Sequence, residues 1–152
     1  MSQQRFSVLV AVYLLLIRDG KILFLRRYNT GWEDGKYTLP AGHYDGHESI
    51  AEAMVREARE EVGIMLQSSA LHVVHVAHHN SDKDYIDFYF STTHWEGEPE
   101  NKEPDKCDDV QWFPIDALPE NTLPNVRQAL MFYKQQVLFG EFNGEEEMMN
   151  EG

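Results

Sequence analysis

The chain has 152 residues, with 42% apolar and 12% aromatic content, which suits one globular domain able to bury a core. Its net charge of −13 works against binding a nucleic-acid polymer or an anionic membrane, while a nucleotide stays allowed where a cation or local arginines reverse the field. Cys107 stands alone, which excludes an intrachain disulfide and predicts a cytoplasmic home.

In chain order, residues 8–17 are a near-continuous apolar run behind Arg5. That order imitates a signal peptide, but no small-residue cleavage site follows, and the run is too short to span a bilayer. Asp19-Gly20 is a hairpin turn signal and residues 21–27 read as the returning strand, so a buried hairpin is expected. Arg26 and Arg27 end that strand, either as phosphate contacts or as solvated charges. Residues 28–36 are a polar loop in which Trp32 either packs locally or acts as a substrate lid or base-stacking surface. Residues 37–41 read as a short strand.

Residues 42–64 organise the rest. Ser49 followed by Glu52 is a capping box, which predicts a helix start at Ser49. Ala51, Val55, Ala58 and Val62 recur at helical spacing and are expected to face the core, and Gly63 is a natural stop. Ile50 and Met54 begin a second stripe that continues as Glu57 and Glu61, with Glu60 beside them. Like charges three and four residues apart repel, and apolar neighbours raise the cost by desolvation. A divalent cation relieves both, and oxygen donors at this density suit Mg²⁺ or Mn²⁺. Upstream, Gly42, Asp45 and Gly46 form a loop before a helix N-terminus, a setting that favours anions such as phosphate.

Gly42, Glu48, Arg56, Glu57, Glu60, Glu61, Gly63 and Ile64 resemble the Nudix box, G-x5-E-x7-R-E-U-x-E-E-x-G-U with U a bulky aliphatic residue. Ala58 is smaller than the family's usual residue there. The resemblance implies an α/β fold, a Nudix α/β/α sandwich with a mixed curved sheet. It implies metal ligation by Glu57, Glu60 and Glu61. It also implies a metal contact from the Ala41 carbonyl, at a position where the family usually has glycine, and a pairing of Arg56 with Glu48 that orients the catalytic glutamate, whether Glu57, Glu60 or Glu103 is the base. His43 and His47 flank the loop and either bond phosphate or stay solvated.

Downstream, residues 71–77 and 85–93 read as strands joined by a turn at 81–84. His72, His75, His78 and His79 crowd this stretch, but His72 and His75 fall on opposite strand faces and no cysteine cluster accompanies them, against a zinc site. His78 or His79 is a candidate to face substrate. Residues 95–105 form an acidic loop whose Trp95-Glu-Gly-Glu-Pro99 start is similar to MutT-type Nudix enzymes; by that match Glu103 is a further metal-binding or base carboxylate, with a plain acidic loop as the alternative. Residues 108–113 read as a strand. Pro124 opens a helix expected to reach about residue 139, with Val126, Ala129, Leu130, Tyr133 and Val137 inward.

The expected protein is one domain over residues 1–152, with a core at about 8–139 and an acidic tail at 141–152. The resemblance implies a Nudix pyrophosphohydrolase, a hydrolase of acid anhydrides that uses Mg²⁺ with Mn²⁺ as a substitute. Its substrate is a nucleoside diphosphate linked to another moiety, foremost a (deoxy)nucleoside triphosphate cleaved to monophosphate and pyrophosphate. Gly42, Arg26, Arg27, Trp32, His43 and Asn121 are the candidate substrate contacts; by the MutT likeness Asn121 reads an oxidised guanine, with Asn125 as competitor and helix capping as the alternative role. Alternatives are a nucleotide-sugar or dinucleotide pyrophosphatase, and a non-catalytic nucleotide sensor. A monomer or a homodimer is expected.

Overall fold

Strand β1 (Leu9–Arg18) is buried on both faces, which is why its sequence is apolar almost throughout rather than alternating. Val12, Leu14 and Leu16 point to one side of the sheet, into a core shared with helix α1 (Ile50–Val62). Leu15 points to the other side, into a core shared with helix α2 (Pro124–Lys134). The computed structural model describes residues 4–144. Burying one leucine of this kind contributes about 1.5–3 kcal/mol.

The order across the sheet is β3 (Tyr37–Thr38), β2 (Lys21–Arg27), β1, β6 (Asp84–Thr92), β5 (His72–Asn80) and β8 (Phe139–Asn143), with β4 (Ala41–His43) also on β1 and β7 (Cys107–Pro114) also on β2. One edge of β1 runs parallel with β6 (Asp84–Thr92), from Leu9 opposite Tyr85 to Leu16 opposite Thr92. The other edge is divided. β4 (Ala41–His43) takes Ala11 to Tyr13, and β2 (Lys21–Arg27) takes only Ile17 and Arg18. The expected hairpin is therefore paired only at its turn. Beyond it β2 leaves β1 for β7 (Cys107–Pro114) and the two-residue β3 (Tyr37–Thr38). The segment expected as one strand at 37–41 is thus two, with Pro40 between them; proline has no N–H for a ladder. β5 (His72–Asn80) pairs antiparallel with β6.

α1 starts as its sequence predicts. Ser49 accepts from the Glu52 N–H at 3.0 Å and Glu52 accepts from the Ser49 N–H at 3.0 Å. Gly63 ends it with φ 76, its N–H donating to the Ala58 and Arg59 carbonyls. The buried stripe is rotated from the expected one. Ala53, Met54, Ala58 and Val62 are buried, while Ala51 and Val55 are half-buried.

The expected α2 is too long. It stops at Lys134, and Val137 is partly exposed rather than inward. The cause is a two-bond helix stop: the Gln136 N–H donates to the Tyr133 carbonyl at 3.0 Å and the Val137 N–H to the Phe132 carbonyl at 2.9 Å. Gln136 takes the left-handed φ of 60 that glycine usually supplies, so no glycine marks the stop. The chain then forms β8 (Phe139–Asn143) alongside β5, which corrects the reading of residues 141–143 as tail. The rest of that tail, 145–152, lies outside the described residues. No helix of the described residues is long and apolar enough to cross a membrane.

Candidate active site

Glu57 and Glu61 follow Met54 at helical spacing, so α1 carries them at the edge of a buried core, each partly shielded from water. β4 lies against that edge. A Cβ at Gly42 would overlap the Glu57 carboxyl group, so the close approach requires glycine. The neighbouring Ala41 N–H donates to both Glu61 carboxylate oxygens, at 3.3 and 3.2 Å.

Arg56 fastens the acidic groups together. Its Nε donates to Glu48 at 3.2 and 3.3 Å, and its Nη2 donates to Glu48 at 2.8 Å and to the His43 carbonyl at 3.3 Å. Its Nη1 donates to Glu57 at 2.8 Å and lies 3.7 Å from Glu60. The Arg56–Glu48 pairing implied by the box is therefore present, and the same guanidinium fixes Glu57.

Burial pushes the Glu57 carboxyl above the usual carboxylate range; Arg56 opposes this, and the charges of Glu60 and Glu103 add to it. Glu61 is held well above that range by burial and then by the Glu57 charge, with the Ala41 N–H opposing and Glu103 and Glu60 adding. Glu103 comes from the loop at 95–106, and its charge reaches both helix carboxylates. The folded chain thus gathers Glu57, Glu60, Glu61 and Glu103 around one charge-rich spot. In oxygen chemistry the set fits a hard divalent cation. Glu57 and Glu60 are turned toward Arg56 and Glu61 toward the Ala41 N–H, and no three His, Cys, Asp or Glu among the described residues are arranged to hold an ion.

The other candidates fall nearby or engage the protein. Arg26 is paired with Asp108 at 2.7 Å and stacks on Tyr37. Arg27 lies over the Trp32 ring at 4.9 Å and donates to the Trp32 carbonyl at 2.8 Å, while Trp32 itself is 57% exposed. The Asn121 amide donates to the Gly35 carbonyl at 2.7 Å and so holds the same loop. Asn125 is buried and donates to the Tyr13 hydroxyl at 3.2 Å. His43 is exposed, with its ring 5.8 Å from that of Tyr85.

His78 pairs with Asp84 at 2.9 Å, and His79 with the fully buried Asp87 at 3.0 Å. His75 is fully buried and bonds the Val137 carbonyl at 2.8 Å, away from solvent. The sequence reading missed Asp87, whose Oδ1 has no hydrogen-bond partner among the described residues. Its one signal was an aspartate interrupting the apolar strand between Ile86 and Phe88.

A mixed sheet between two helices, with this glycine-backed acidic helix on one face, is the MutT-like sandwich. A MutT Nudix hydrolase from Burkholderia pseudomallei superposes with a TM-score of 0.76 at 29% identity, covering 83% of this chain and 98% of that one. The MutT protein of Methanosarcina mazei matches the fold with a TM-score of 0.75 at 20% identity, over 88% of this chain and 98% of that one. The NUDIX domain model matches residues 7–133, and the chain belongs to the Nudix family.

The chain is 29% identical over 110 residues to the NAD-capped RNA hydrolase NudC of Pseudomonas aeruginosa, covering 72% of this chain and 37% of that protein. It is 37% identical over 62 residues to an ADP-ribose pyrophosphatase of Methanocaldococcus jannaschii, covering 41% of this chain and 36% of that protein. The chain therefore spans little more than a third of the length of these two relatives.

Proposed function

We propose that the protein is a divalent-cation-dependent pyrophosphohydrolase that cleaves a nucleoside diphosphate linked to another moiety. The favoured substrate is a (deoxy)nucleoside triphosphate, giving monophosphate and pyrophosphate. The observation that carries this is the carboxylate set at the edge of the core: Glu57 and Glu61 are both held above the usual carboxylate range by burial and by the charges of Glu60 and Glu103, and Arg56 is the cation paired with Glu57 and Glu60. A group of anions left this short of positive charge is built to receive some from outside.

Glu57, Glu60 and Glu61, with Glu103 and the Ala41 carbonyl, would hold Mg²⁺ or Mn²⁺. When bound, such a cation supplies Lewis-acid activation of water and neutralises charge on phosphate oxygens. The chain's own groups do the rest. Arg56, anchored on Glu48, keeps Glu57 from swinging away. Gly42 lets β4 approach so that the loop at 43–47 lies beside the carboxylates. A carboxylate of the set, Glu57, Glu60 or Glu103, accepts the proton of the attacking water. Trp32, braced by Arg27 and by the Asn121 hold on Gly35, presents an aromatic surface for a base. The lone buried Cys107 suits a reducing compartment such as the cytoplasm.

A second reading, a nucleotide-sugar or dinucleotide pyrophosphatase, has support from the relative named an ADP-ribose pyrophosphatase. A non-catalytic sensor is disfavoured because every box carboxylate is present. The test is a panel of nucleotides with Mg²⁺, scored by product identity. Release of pyrophosphate from a triphosphate at the highest kcat/KM is expected. ADP-ribose or a nucleotide sugar turned over far faster than every triphosphate, including 8-oxo-dGTP, would overturn the substrate assignment.

A further inference from the structure

The loop at 95–106 is locked to the end of α1. The last carbonyls of a helix lack partners within it. Here the Lys102 N–H donates to the carbonyl of Glu61 itself at 3.1 Å, and the Glu100 N–H to that of Val62 at 3.1 Å. Met65 and Glu96 exchange two backbone bonds, at 2.9 and 3.0 Å. Gly63 makes room for this contact, since a Cβ there would come 2.8 Å from the Lys102 side chain. Arg18 holds the outer part by a two-point pairing with Glu98, at 2.9 and 2.7 Å, while stacking on Trp112.

Between this anchored stretch and β7 sits Glu103, and one side chain spans the interval. Asn101 Oδ1 accepts from the Glu103 N–H at 3.0 Å, and Asn101 Nδ2 donates to the Cys107 carbonyl at 2.7 Å. The Glu103 carbonyl in turn accepts from the Lys106 and Cys107 N–H groups, both at 2.9 Å. The amide thus closes residues 101–107 into a clasp with one end on the first residue of β7.

We propose that Asn101 is a positioning residue that holds Glu103 against Glu57 and Glu61, so that the loop and the helix act as one cation-binding unit. This rests on the reading of those carboxylates as the metal site. Asn101 touches neither substrate nor cation; it acts by fixing the backbone that carries Glu103. An untethered Glu103 samples many directions, and each cation bound must then order it again.

The test is a double-mutant cycle on metal binding, read as the Mn²⁺ concentration that gives half of the full rise in melting temperature. Asn101→Ala should raise that midpoint about tenfold, the low end of losses seen when a group that orients a ligand is removed. In a Glu103→Gln background it should add nothing, because its effect passes through Glu103. Asn101→Ser keeps an acceptor for the Glu103 N–H and should fall between, with a metal-free melting temperature close to wild type. An unchanged midpoint in Asn101→Ala, or an equal shift in both backgrounds, overturns the positioning role alone. A wild-type protein with no Mn²⁺ response overturns the metal-site reading and this inference with it.

Discussion

The two faces of the sheet handle acidic groups in opposite ways. On the α2 face Asp87 is fully buried and is answered at one oxygen, Oδ2, by His79 at 3.0 Å, while its Oδ1 has no partner among the described residues. Tyr13 lies near it, its own hydroxyl held by Asn125 at 3.2 Å. On the α1 face Glu57 and Glu61 are only partly buried, yet they crowd Glu60 and Glu103 with Arg56 as the paired cation. A buried acid held by one internal partner acts as a structural element, and removing it strands that partner and costs stability. Under the proposed function the carboxylate cluster, which outnumbers its one paired cation, acts as a receptor, and removing one member costs binding.

That contrast can be broken most forcefully from the α2 side. Asp87→Ala should destabilise the fold by about 3 kcal/mol, because removing one partner of a buried pair strands the other. The Mn²⁺ response of the remaining folded protein should stay as in wild type. Urea unfolding with and without Mn²⁺ measures both. A stable variant that had lost its metal response would place Asp87 in the receptor instead.

Glu61→Gln probes the opposite face. It should lower kcat by about a hundredfold or more, roughly 2.7 kcal/mol, while stability stays level or rises as repulsion is relieved. Steady-state kinetics and a melting curve on one preparation decide it. Near-normal turnover in the folded variant would make Glu61 a bystander.

Gly42→Ala sharpens the comparison at its border. The added Cβ collides with the Glu57 carboxyl group, so either β4 or Glu57 must move. A loss of about 1–2 kcal/mol is expected from overpacking, with a weaker Mn²⁺ response because Glu57 is displaced. Thermal unfolding across a metal titration reads both, and a variant matching wild type in both would mean that the approach of β4 to α1 is not needed.

The same two faces differ in how far the sequence disclosed them. α1 was open to reading because its start, stop and charges are local: Ser49 and Glu52 cap each other, Gly63 takes the left-handed turn, and the glutamates repeat at helical spacing. The buried stripe was misplaced because the glutamates themselves lie on the inward arc with Met54, where a polarity count expects solvent. The α2 face was hidden because its determinants are long-range. Asp87 reads as a strand interruption until His79 arrives from the neighbouring strand. The stop after Lys134 relies on Gln136 in a conformation that glycine usually signals, so β8 was read through as helix and tail. Asn101 looked like one more polar residue in an acidic loop, and its value lies in two backbone groups that only the turn brings within reach.

The most direct test of the central claim, that the α1 carboxylates form a cation receptor, is the melting temperature of the wild-type protein across a Mg²⁺ or Mn²⁺ titration. A cation that binds only the folded state at about a hundred times its dissociation constant stabilises by about 2.7 kcal/mol. For a chain of this size that corresponds to a rise of about 5–10 °C. A saturable rise that Glu61→Gln abolishes and Asp87→Ala keeps is the predicted result. An unchanged melting temperature under saturating cation would contradict the account.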